Sequence, residues 1–77
     1  MKGTVKTVKS TKGFGFVVDE DGKEFFFHRS EFKGHWNDLI NDFDSNIKIP
    51  VNFEEDAPGE KGPRAKNVRR LDWPNQV

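Results

Sequence analysis

The chain has 77 residues, and its thirteen Lys and Arg balance thirteen Asp and Glu, so the formal net charge is zero. Only 32% of it is hydrophobic, yet eight Phe and two Trp make it rich in rings. That length supports one small domain. The lack of Cys excludes disulfides and thiolate zinc, two His cannot close a zinc site without carboxylates, and no apolar run is long enough for a membrane-spanning helix.

The charges are segregated along the chain. Residues 1–18 carry +4 from Lys2, Lys6, Lys9 and Lys12, residues 19–33 carry −2, residues 34–57 carry −5, and residues 58–77 carry +3. A zero total speaks to solubility, whereas local patches speak to partners. An uneven solvated surface and a patch for an anionic partner both fit this distribution.

In chain order, Thr4 to Val8 is a short β-branched run, and Gly13 to Val18 is a second. Asp19-Glu20-Asp21-Gly22 is a turn signal, and Lys23 to His28 returns as a third strand, so 13–28 reads as a hairpin. The stretch from Ser30 to Asn46 is long and acidic, with one helical turn expected near Trp36–Ile40. Its Phe32, Leu39, Ile40 and Phe43 are expected to lie over one end of the fold. Ile47, Ile49, Val51 and Phe53 recur at period two, predicting a fourth strand with Pro50 at an edge or unpaired position. Ala57-Pro58-Gly59 and Lys61-Gly62-Pro63 bracket an expected turn-rich loop, followed by a fifth strand over Arg64–Leu71. Five strands separated by turns predict a small barrel.

Strand parity divides the rings. Phe25 and Phe27 share one face of the third strand, and Glu24, Phe26 and His28 share the other. Burying the face without Glu and His is cheaper, which leaves Phe26 facing water beside His28. On the second strand Phe14, Phe16 and Val18 oppose Gly13, Gly15 and Val17. Parity alone would send those two Phe inward. Glycines within a strand also mark a sharp bend or a close backbone approach, so they leave that choice open. Outward rings beside Phe26 and His28 would form a stacking surface for bases.

Lys12-Gly13-Phe14-Gly15-Phe16-Val17 matches the first six positions of the ribonucleoprotein signature K/R-G-F/Y-G/A-F-V-x-F/Y. An RRM carries that motif on its third strand, and eleven preceding residues cannot supply the strand, helix and strand it would need. The chain instead resembles the bacterial cold shock proteins and the cold shock domain. Phe25-Phe26-Phe27-His28 resembles the family's second ribonucleoprotein motif, Lys61-Gly62-Pro63-Arg64-Ala65 with Asn67-Val68 resembles its K-G-P-x-A-x-N-V segment, and Gly3-Thr4-Val5-Lys6 resembles its opening strand. The likeness runs over residues 2–71.

This resemblance implies an all-β fold, a five-stranded antiparallel OB-fold barrel, here with an extended loop between strands 3 and 4 that is a few residues longer than the family usually has. It divides the chain into a domain over 1–72 and a tail over 73–77, in which Trp73 is read as a packing or tail feature. It also implies a cytoplasmic, non-enzymatic protein that binds single-stranded RNA or DNA at low sequence specificity, an RNA chaperone working as a monomer or weak dimer. No cofactor, metal, membrane or small-molecule substrate is implied. The implied stacking set is Phe14, Phe16, Phe26 and His28, with Lys6 and Lys12 near the phosphates.

The departures from the family pattern are specific. Where the family's first strand reads K-W-F-N, this chain has Lys6-Thr7-Val8-Lys9, so two rings are missing and a cation is added. Arg29 follows the motif His where the family often has an aromatic, and its guanidinium plane can also stack on a base. Trp36 in the long loop is expected either to contact a base or to pack on the barrel end. A rival reading keeps the barrel as a protein-interaction module with weakened nucleic-acid binding, motivated by the lost rings and the acidic middle. An acid–base pair from His28 or His35 with Glu24, Glu31 or Asp38 lacks a nucleophile or metal constellation.

Overall fold

A computed structural model describes residues 1–59 and 62–71. Lys61 and the expected tail 73–77, with Trp73, lie outside the described residues. Five strands form, β1 (Lys2–Lys9), β2 (Phe14–Asp19), β3 (Glu24–His28), β4 (Pro50–Gly59) and β5 (Gly62–Arg70), with a 3₁₀ turn at Arg29–Glu31 and one helix, α1 (Trp36–Asp44). The strands close into a barrel in the order β1-β2-β3-β5-β4.

Four of the five pairings are antiparallel, and β3 and β5 run parallel with Phe26 opposite Arg64. The five-stranded all-β barrel expected from the sequence forms, with one parallel pair for a topological reason. A closed ring with an odd number of strands cannot alternate direction all the way round, so one pair must run parallel. The connection that contains α1 places that pair between β3 and β5.

The β2–β3 hairpin forms where its turn residues predict. The Asp19 carboxylate accepts from the Asp21 and Lys23 backbone N–H groups at 2.9 and 2.8 Å, and Gly22 takes a φ of 88° that a side chain would resist. The expected loop over 57–63 is instead the end of a longer hairpin, since β4 continues to Gly59, which pairs with Gly62. Polar residues 54–56 are held in strand by pairing with β5, which overrides their weak intrinsic preference. Pro50 is the first residue of β4, where its missing donor costs no ladder hydrogen bond. Ile47 precedes the strand and is exposed, so the buried period-two set is Ile49, Val51 and Phe53.

The core holds Val5, Val17, Phe25, Phe27, Ile49, Val51, Phe53, Ala65 and Val68, joined by Phe32, Trp36 and Leu39 from the segment between β3 and β4. That segment is more ordered than a single turn. Trp36, Leu39, Ile40 and Phe43 fall at i, i+3, i+4 and i+7, one stripe of a nine-residue helix, and all four lie against the core. The helix ends in a Schellman motif: Asn46 N–H donates to Phe43 O, Ile47 N–H donates to Asp42 O, and Asn46 sits at φ 63°. The Arg70 guanidinium donates to the Asp42 carboxylate at 2.7 Å and ties α1 to β5.

Candidate functional site

The register of β1 contains a bulge. Val5 pairs with Val17 and Thr7 pairs with Phe16, so two steps on β1 match one step on β2, and Lys6 is the extra residue. Without that shift Thr7 would share the inward face of Val5. With it, Thr7 stands on the outer face, and Val8, opposite Gly15, packs against the core. Of the two family rings replaced here, only the one at Thr7 therefore belongs to the outer surface.

Two cross-strand rows result. One reads Thr7, Phe16, Phe26, Arg64 across β1, β2, β3 and β5, and the other reads Lys9, Phe14, His28 across β1, β2 and β3. Phe14 and Phe16 are half-buried and outward, while Gly15 and Val17 between and beside them are buried. The barrel interior explains this choice. The Phe27 ring lies so close to Gly15 that a Cβ there would be 2.9 Å from it and 2.6 Å from the Thr7 carbonyl oxygen. The inward position must be glycine, so the rings on either side of it are forced outward.

Phe14, Phe16 and Phe26 form one aromatic cluster. Their centroids are 6.0 Å apart for Phe14–Phe16, 5.1 Å for Phe14–Phe26 and 5.8 Å for Phe16–Phe26, in edge and tilted geometries. The sequence expectation that Phe26 faces water is right about the side and incomplete about exposure. Phe26 stands outside the core cluster but is only 8% exposed. Its two neighbouring rings flank it, and the Arg64 guanidinium lies over it at 5.8 Å from the centroid. Arg64 was not among the residues expected at the site. Its place follows from the parallel rung that closes the barrel, which no local pattern announces.

His28 is exposed, and its Nδ1 accepts from Ser30 N–H at 3.1 Å and lies 3.0 Å from the Ser30 hydroxyl. In the neutral ring that bond assigns the N–H to Nε2, a donor at the edge of the ring surface. Lys6 is ion-paired to Glu24, both groups being about half exposed. Such surface pairs contribute roughly 0–1 kcal/mol, so an incoming phosphate can compete for the lysine. Lys12 is exposed in the β1–β2 turn, and Arg29 follows His28 with its N–H donating to Gly13 O at 2.8 Å.

Trp36 stands apart from this surface. It is 7% exposed and packs edge-on against Phe27 and Phe32, each at 6.1 Å. The ring belongs to the helix stripe that closes the barrel end, so of the two sequence expectations the packing one describes its position. Its Nε1 is buried with no hydrogen-bond partner among the described residues. The spacing of Trp36 with Leu39, Ile40 and Phe43 was the signal that could have placed it in the core.

Two of the carboxylates considered for an acid–base pair have other partners. Glu24 holds Lys6, and the Glu31 carboxylate accepts from Asn67 N–H at 3.4 Å. Among the described residues no group of three or more metal-ligating side chains comes together, and no helix is long and apolar enough to cross a membrane.

Residues 1–71 match the family described as the 'Cold-shock' DNA-binding domain. The chain is 37% identical over 67 residues to cold shock protein 2 of Lactiplantibacillus plantarum, covering 87% of this chain and 92% of that protein. It is 37% identical over 71 residues to the cold shock-like protein CspE of Bacillus anthracis, covering 92% and 97%. Over 69 residues it is 38% identical to the cold shock-like protein CspLB of Listeria monocytogenes, covering 90% and 96%.

Proposed function

Because the chain belongs to the cold-shock DNA-binding domain family, we propose that it binds single-stranded nucleic acid on the outer face of β1, β2 and β3, without catalysing a reaction. The observation that supports this most is the cluster of Phe14, Phe16 and Phe26 on the solvent side of a barrel whose core is already filled by other rings. A small domain with a limited core gains no stability from leaving large rings outside it. Base stacking gives them a use, at roughly 1–3 kcal/mol per base, and it tolerates many sequences because every base has a π-face.

In this reading Phe14 and Phe16 receive bases, Phe26 supports them from beneath the Arg64 guanidinium, and His28 adds a ring edge with a donor. Lys6 and Lys12 neutralise phosphates, and Arg29 borders the surface at its β1–β2 end. Trp36 is left out, because its faces are covered in the barrel end. Preferential binding to the open strand draws a weak hairpin toward its single-stranded form by population shift, which is how a protein without an energy source acts as an RNA chaperone.

The test is fluorescence anisotropy of a labelled pyrimidine-rich oligonucleotide, as RNA and as DNA, with a duplex of the same sequence as competitor. Expected are saturable binding that weakens as salt rises, little competition by the duplex, and faster opening of a weakly paired RNA hairpin. Absence of binding at low salt would overturn the reading.

A further inference from the structure

The cations near the rings fall into two groups. Lys6 is paired with Glu24, and Arg64 is engaged with the face of Phe26. Lys9, Lys12 and Arg29 are all exposed, and none has a carboxylate partner among the described residues. The backbone draws these three together at one end of the ring surface. Lys9 O accepts from Lys12 N–H at 3.1 Å and from Gly13 N–H at 2.9 Å, and Gly13 O accepts from Arg29 N–H at 2.8 Å. Gly13 takes a φ of 73° to make this turn, and a Cβ on it would lie 3.9 Å from the Arg29 Cβ. Lys9 also stands in the cross-strand row with Phe14 and His28.

We infer that Lys9, Lys12 and Arg29 form a phosphate-binding site at the β1–β2 turn, which takes the backbone phosphates next to bases stacked on Phe14 and His28. The inference rests on the single-strand reading above. Two of the three residues, Lys9 and Arg29, stand where the resemblance places an uncharged or aromatic side chain, so the site belongs to this chain in particular. It exchanges ring surface, lost at Thr7, for charge. The turn brings the backbone of three exposed cationic residues to one end of the ring surface, so it favours a ligand with closely spaced phosphates. Arg29 therefore acts here as a cation and not as a stacking plane.

The experiment compares the salt dependence of oligo-uridine binding for the native protein, a Lys9→Gln/Arg29→Gln double variant, and a Lys2→Gln/Lys48→Gln double variant of equal net charge. Lys2 lies at the far end of β1, roughly 20 Å from Lys9 at about 3.3 Å per residue. The expected result is a log–log salt slope shallower by about 1.4 in the first variant, at about 0.7 per phosphate on a single strand. Over a fourfold rise in salt that amounts to roughly sevenfold less loss of affinity. The Lys2/Lys48 control should keep the native slope. Equal slopes in all three proteins, or equal flattening in both variants, would overturn the site while leaving single-strand binding intact. Lys9→Gln/Arg29→Lys should recover about half of the lost slope. If it recovers none, and Arg29→Lys alone weakens binding at high salt, Arg29 stacks and the assignment fails. A native protein that does not bind oligo-uridine at low salt removes both the site and the reading beneath it.

Discussion

Gly15 on β2 and Phe27 on β3 are cross-strand partners, and the Phe27 ring occupies the space that a side chain on Gly15 would need. This pair makes one ring structural and turns its neighbours outward: Phe27 fills the barrel, and Phe14 and Phe16, on either side of Gly15, face solvent. Gly15→Ala places a Cβ 2.6 Å from a backbone oxygen and 2.9 Å from the ring, neither of which can yield cheaply. Overpacking of this kind costs about 1–3 kcal/mol. Urea denaturation should show the midpoint falling accordingly, and an unchanged midpoint would mean that β1 and β2 can separate at this point.

The rings divide by face, and so should their variants. Phe14→Ala and Phe16→Ala are expected to weaken oligonucleotide binding by roughly 1–3 kcal/mol each, with little change in thermal stability. Phe25→Ala and Phe27→Ala are expected to cost about 3–5 kcal/mol of stability, because both rings are fully buried. Anisotropy and calorimetry on the same four proteins check this. A Phe16→Ala protein that unfolds would contradict the outward placement.

Thr7 and Val8 replace adjacent family aromatics and, as neighbours in a strand, point to opposite faces, the bulge at Lys6 setting Thr7 outward and Val8 inward. Thr7→Trp should tighten binding by up to about 1–3 kcal/mol, since it extends the row beside Phe16 by one ring. Val8→Phe adds its ring toward the core and is expected to lower stability by about 1–3 kcal/mol without tightening binding. If Val8→Phe proved to be the tighter binder, the register assigned to β1 would be wrong.

Trp36→Phe separates packing from recognition. The change keeps an aromatic against Phe27 and Phe32 and removes a buried donor that has no partner among the described residues. The cavity and the lost desolvation penalty act in opposite directions, so stability should change by less than about 1.5 kcal/mol. Affinity should stay within experimental error. A marked fall in affinity with the fold intact would return Trp36 to the binding surface.

The Asp42–Arg70 pair joins the helix to the barrel with the guanidinium largely buried. Asp42→Ala leaves that charge without this carboxylate and should cost on the order of 1–3 kcal/mol, toward the lower end because Asp42 itself is partly exposed. The double change Asp42→Leu/Arg70→Met should recover much of the loss, since apolar replacements of a buried pair are often neutral. Recovery by the double variant, measured in denaturant, distinguishes the loss of this ion pair from a general loosening of α1.

Much of the hairpin and the alternation of the core was legible in the residues alone. Asp19 to Gly22 specified the turn, because an Asx hydrogen bond and a positive φ are local requirements. Phe25 and Phe27 were legible as core, because burying Glu24 and His28 instead would strand polar groups. The family motifs also lie in consecutive residues and could be read directly, and with them the barrel and its kinship.

What only the tertiary structure decided depends on contacts between residues far apart in the chain. Parity alone puts Phe14 and Phe16 on the inner side of β2, and the Phe27 ring over Gly15 reverses that. Parity also misses the bulge at Lys6, which exists only in the pairing of β1 with β2. The covering of Phe26 by Arg64 needs the parallel rung that an odd ring of strands imposes. Trp36 became core because the helix stripe found an open barrel end to cover. The zero net charge resolves in the same way. It is a sum over the chain, and only folding shows that Lys6 is paired while Lys9, Lys12 and Arg29 are gathered and left open to solvent.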